Sequence, residues 1–108
     1  MANYGALGEF EHLVLLAVLR HPDGVVGSAI GRLLEERASR RISRGALYSA
    51  LMRLEEKGYL RWQLDAGAPD RGGHQRRRFR VTREGRAAVT EYQRAVQRLL
   101  EGVRINGR

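Results

Sequence analysis

The stretch ISRGALYSALMRLEEKGYL, residues 42–60, constrains this chain more than any other. It carries its own start and stop signals. Ser43 is a good N-cap, because its hydroxyl can accept a bond from a backbone N–H that the first helical turn leaves unpaired. Ile42 and Leu47 stand at the N′ and N4 positions of a hydrophobic staple, and Gly58 suits the C′ position that ends a helix. At ~100° per residue, Ala46, Leu47, Ala50, Leu51 and Leu54 gather on one side. The opposite side shows Gly45, Tyr48, Ser49 and Met52, with Arg44 and Arg53 on its flanks. Glu55 and Glu56 fall at the far end, expected in solvent or paired with Arg53 or Lys57. The result is a short helix with one greasy face and one polar face poor in acids.

The flanking segments fit around that helix. A first helix over about residues 8–20 places Phe10, Leu13, Val14 and Ala17 on one face, yet Leu15, Leu16, Val18 and Leu19 are apolar too. A helix greasy all round needs cover on more than one side. His21-Pro22-Asp23-Gly24 is turn chemistry. A second helix over about residues 26–38 turns Ala29, Ile30, Leu33 and Leu34 inward. After the central helix, Leu60, Trp62 and Leu64 alternate with Arg61 and Gln63. Phe79 and Val81 alternate with Arg78 and Arg80, which predicts a β-hairpin around the long, mobile turn DAGAPDRGG. Thr82 can cap a last helix, in which Val89, Tyr92, Val96, Leu99 and Val103 form an a/d seam of about two heptads. The order helix, helix, helix, hairpin, helix predicts a mainly α winged helix-turn-helix with an added C-terminal helix. Residues 1–82 form the reading domain, and residues 83–108 form the dimerisation helix and a short tail.

Composition narrows the partner. The 108 residues carry a formal net charge of +8, almost all of it from arginine, since Lys57 is the sole lysine. That balance favours a polyanion, and guanidinium forks match phosphates and guanine edges. There is no cysteine, which suits a reducing cytoplasm. No apolar run is long enough to span a bilayer, and the opening residues do not resemble a signal peptide. The residues call for no cofactor. His74 has no second ligand at useful spacing, so no metal is expected. No nucleophile–base pair, Walker loop or carboxylate pair in apolar surroundings suggests an enzyme.

The motifs LGEFEHLVLLAVL, ISRGALYSALMRLEEKGYL and RRFRVTREGR together resemble the PadR family of bacterial transcriptional regulators, in its smaller subgroup with a single C-terminal helix. The resemblance runs from Leu7 and Gly8 to the start of the last helix. It implies a dimeric repressor of DNA operators, often relieved by a small-molecule effector. The last helix would build the dimer with help from the partner's first helix. Two departures stand out. Where relatives often read His-Gly-Tyr-Glu-Ile, this chain has Val26-Gly27-Ser28-Ala29-Ile30, leaving Ser28 to bond a phosphate. The last helix offers Tyr92 and no Trp, so a flat aromatic drug site does not carry over.

The expected DNA-binding residues are therefore Ser28, Ser43, Arg44, Gly45, Tyr48, Ser49 and Arg53, with Arg71, His74, Arg76, Arg77 and Arg78 from the wing. Arg44 heads the set, because first-turn residues of a recognition helix meet base edges. Arg53 suits phosphate, Arg78 and Arg80 divide between phosphate and solvent, and Trp62 suits the core or a dimer wall. The expected dimer interface is Phe10, Leu13, Leu16, Val89, Tyr92, Val96, Leu99 and Val103. Rival readings are a protein–protein interaction module on the same scaffold and a structured-RNA binder. A polar, acid-poor third helix argues against the first; a gel shift of duplex DNA against RNA separates the second.

Overall fold

The computed structural model describes residues 7–65 and 76–105. Its elements run α1 (Glu9–Leu19), β1 (Val25–Val26), α2 (Gly27–Ala38), α3 (Arg44–Glu56), β2 (Leu60–Leu64), β3 (Arg77–Val81) and α4 (Arg83–Leu100). The turn with Arg71 and His74 lies outside the described residues, as does its expected mobility.

Local chemistry sets the boundaries of the central helix. Ser43 Oγ accepts the Ala46 N–H at 3.1 Å and fixes the start of α3. At the other end Gly58 takes φ +82°, a left-handed conformation that costs glycine little. The Tyr59 N–H then reaches back to the Leu54 carbonyl and the Gly58 N–H to that of Glu55, both at 2.9 Å. These are the paired bonds of a Schellman ending.

The sheet has one strand more than the expected hairpin. β2 and β3 pair antiparallel with Trp62 opposite Phe79, and β1 adds to the free edge of β3 with Val25 opposite Phe79. The second helix accordingly begins at Gly27, and Val26 belongs to this edge strand. Two adjacent β-branched residues favour extended backbone, and Val25 gains burial against Phe79. A two-residue strand is too short for alternation to reveal in the sequence.

The core joins the four helices, α4 through Val89 alone among its described residues, and the inner sheet face. Leu15, Val18, Ile30, Leu51, Leu54, Leu60 and Phe79 are all buried. The α1 residues expected on one face divide, with Val14 and Ala17 buried. Leu15 and Val18 lie in the core, while Phe10 and Leu13 are half-buried and Leu16 is exposed. Ala46, expected among the inner residues of α3, is exposed as well.

α4 is seated on the rest by close contacts at its start. Thr82 Oγ1 accepts the Gly85 N–H at 3.0 Å and donates to the Gly58 carbonyl at 2.6 Å. A Cβ at residue 85 would lie 2.4 Å from the Tyr59 carbonyl oxygen, so glycine is what lets the helix approach. Farther along, the His12 and Tyr92 rings stack with centroids 4.0 Å apart, and His12 Nε2 bonds Gln93 Oε1 at 2.8 Å. The expected heptad seam is shortened. α4 ends at Leu100, and Gly102 takes φ +78°, so Val103 lies past the helix. Val89 is buried in the core of its own chain. Val96 and Leu99 remain exposed. None of the described helices is long and apolar enough to cross a membrane.

Candidate nucleic-acid interface

Three elements converge on one concave surface. The first turn of α2 supplies Ser28, the first half of α3 supplies Arg44 and Tyr48, and the base of the wing supplies Arg76 and Arg77. They line a groove of about 830 Å³ together with Val26, Gly27, Gly31, Ile42 and Leu47. No acid is among its described lining residues. Each side chain is placed by the local fold. The Ser43 cap sets the angle at which Arg44 leaves the helix. Leu47, one residue before Tyr48, is buried and fixes the rotation of α3. Ser43 itself uses Oγ as the cap acceptor, so its proton is the part of the hydroxyl that this bond does not use. Gly45 and Ser49 are exposed on the same helix, with open space around Gly45.

The wing arginines have separate placements. The Arg77 guanidinium lies 4.3 Å from the centre of the Trp62 ring, a cation–π contact that holds the head in position while it stays charged. Trp62 is half-buried and packs against the core. Arg76 is exposed at the groove edge. Arg78 is tied down: it donates to the Gly24 carbonyl at 3.0 Å and pairs with Asp65 at 3.1 Å. Arg80 points away on the exposed sheet face.

Arg53 also departs from its expected place. It pairs with Glu11 at 3.2 Å, and Lys57 reaches the same carboxylate at 2.7 Å. Glu55 and Glu56 are exposed, and neither is the acid that holds these two cations. Glu11 is only 6% exposed, and its carboxylate also accepts the Gly8 N–H at 3.0 Å, closing the first turn of α1. Burial pushes the Glu11 carboxyl up. The Gly8 N–H, Lys57 and Arg53 more than offset this and hold it below the usual glutamate value. Sequence reasoning missed this anchor, although a signal was present. Glu11 precedes Leu15 and Val18 by four and seven residues, which puts an acid on the buried stripe of an apolar helix. An acid so placed needs a cation from elsewhere in the fold.

An exposed helix start, a helix-turn-helix behind it and a basic sheet edge beside it define a winged-helix scaffold with a cationic groove. The chain belongs to the PadR-like family of transcriptional regulators, whose family model matches residues 15–91. Solved structures agree. A PadR-like transcription factor from Bacteroides fragilis is 24% identical with a TM-score of 0.72, covering 85% of this chain and 84% of its own. A PadR family transcriptional regulator from Eggerthella lenta DSM 2243 is 27% identical with a TM-score of 0.68, covering 87% and 81%. RosR of H. salinarum is 23% identical with a TM-score of 0.70, covering 91% and 81%. No curated protein matches the chain at a significant level.

Proposed function

We propose that this chain is a dimeric, DNA-binding repressor of PadR type, working in the cytoplasm on a palindromic operator. The observation that carries the reading is the groove in which Ser28, Arg44, Tyr48, Arg76 and Arg77 meet with no acid among its described lining residues. Arg44 reads a guanine edge from the first turn of α3, and Gly45 lets the backbone come close. Tyr48, Ser49, Ser28 and Ser43 bond phosphates or base edges, and Arg76 and Arg77 follow the backbone beside them. Residues 1–82 form the reading unit, and residues 83–108 pair it with a second copy.

Apolar surface supports the dimer. Leu99 is 80% exposed, and Val96 shares its face of α4, three residues earlier. The rim of α1 offers Phe10, Leu13 and Leu16. Packing α4 of one copy against α1 of the other covers both surfaces. Changing Val96 and Leu99 together to Asp is expected to give monomers in sedimentation; a persistent dimer would put the interface elsewhere. Paired this way, two recognition helices meet successive major grooves about 34 Å apart. An effector acting at this seam would alter that spacing and weaken binding.

Selecting bound duplexes from a random pool tests the reading. Enrichment of a palindrome with half-sites one turn apart supports it. Failure to enrich any duplex at low salt overturns it.

A further inference from the structure

The second arginine surface lies on the other side of the wing. Along β3, Phe79 faces the core while Arg78 and Arg80 face outward. Arg76 continues this alternation, its carbonyl holding the Asp65 N–H at 2.7 Å. On β2, Arg61 stands directly opposite Arg80, and both are exposed. Like charges directly across a sheet disfavour the pairing, so this position does not serve strand stability. Arg83 opens α4 beside them. Arg61, Arg80 and Arg83 make no salt bridge with any described residue. With Arg78 they line a groove of about 670 Å³ in which Glu84 is the one acid on the described wall. Arg76 and Arg77 line the recognition groove while Arg78 and Arg80 line this one, so one run of chain carries arginines from the first groove into the second.

We propose that this outer sheet face is a second phosphate-binding surface, which takes the backbone of the duplex flanking the segment read by α3. The proposal rests on the reading of the first groove as a DNA interface. From residue 76 to residue 80 the strand advances about 13 Å, at ~3.3 Å per residue. Arginines at every second residue are then about 6.6 Å apart, which suits successive phosphates of one DNA strand. The surface is dominated by positive forks, with Gln63 the one amide among its described lining residues, so it adds chiefly affinity and salt dependence, with little sequence preference.

The test measures binding of random-sequence duplexes against salt. One is about 20 base pairs, enough for two half-sites one turn apart, and the other about 40. The variant R61Q/R80Q/R83Q is compared with wild type and with R61K/R80K/R83K, which keeps the charge. The expected result is a shallower salt slope for the Gln variant on the long duplex, by about 0.9 for each phosphate it no longer neutralises. The short duplex and the Lys variant should keep the wild-type slope. An unchanged slope on both duplexes overturns the proposal, and so does an equal drop on both, which would place these arginines within the core footprint. If the Gln variant behaves as wild type while Arg44→Ala still weakens binding, the flanking surface fails and the recognition groove stands. If wild type binds neither duplex, both fall. A thermal melt of the Gln variant at or above the wild-type midpoint shows that the fold is intact.

Discussion

The two halves of α3 carry the same residue type to opposite ends. Arg44, in its first turn, is exposed and opens onto a groove with no acid among its described lining residues. Arg53, in its last turn, is held by a carboxylate from α1, and Lys57 just beyond the helix shares it. One arginine is kept for a partner, and the other fastens the helix to the domain. The difference comes from what packs against each end, not from the helix itself. Ion pairs nearer the surface, such as Arg40 with Glu9 at 2.6 Å and Arg41 with Glu35 at 3.7 Å, add little in water. The Glu11 cluster has a buried acceptor, so its geometry sets where α3 sits.

Breaking the fastened end should have the largest effect. Glu11→Ala removes the carboxylate that Lys57 and Arg53 share and the acceptor of the Gly8 N–H. Chemical denaturation is expected to show a loss of about 2–3 kcal/mol, toward the low end for a partly exposed cluster. A loss below about 0.5 kcal/mol, the range of ordinary surface substitutions, would mean that the cluster does not hold the helix. Arg44→Ala should do the reverse. Stability should stay within about 0.5 kcal/mol of wild type, while duplex binding weakens by about 1–3 kcal/mol with relaxed preference at one base pair. An equal loss on every sequence would make Arg44 a phosphate contact.

Acid should reach the fastened end alone. The folded-state pKa of Glu11 is depressed, so its contribution is fully present above the unfolded value, about 4.3. It is lost as the pH falls through the lower folded value. Stability measured from pH 5 downward should therefore fall less steeply in Glu11→Gln than in wild type. Parallel curves would remove Glu11 from the acid transition. The smallest effect is expected from Arg53→Gln. With this guanidinium half-exposed and already paired, the salt slope of DNA binding should change by less than ~0.9, the value of one phosphate contact. A full unit of change would show that Arg53 leaves Glu11 for the backbone.

Most of the helices, and the groove between them, were legible because their signals are local. Ser43 and Thr82 marked their helix starts, Gly58 marked an end, and the alternation of Trp62 and Phe79 gave the hairpin. The features that escaped are pairings across long separations. Arg53 and Lys57 meet an acid more than forty residues earlier, and Arg78 meets a carbonyl fifty-four residues earlier. Nothing in the spacing of either segment names its partner. β1 escaped because two residues are too few for a pattern. The seam of α4 was read too long because an apolar residue at the right interval, Val103, continues the pattern after Gly102 has ended the helix. Phe10, Leu13, Val14 and Ala17 were read as one face of α1, yet Val14 and Ala17 are buried together with Leu15 and Val18, because an all-apolar helix does not say which side meets its neighbours.

The junction at Thr82 has a mechanical consequence. The carbonyl it holds belongs to Gly58, the residue that ends α3, and Gly85 lies against the chain one residue further on. The root of the terminal helix is therefore bolted to the tail of the central one, with no slack residue between them. A tilt imposed on the long arm from outside has nowhere to dissipate, and would swing the short arm about the same pivot.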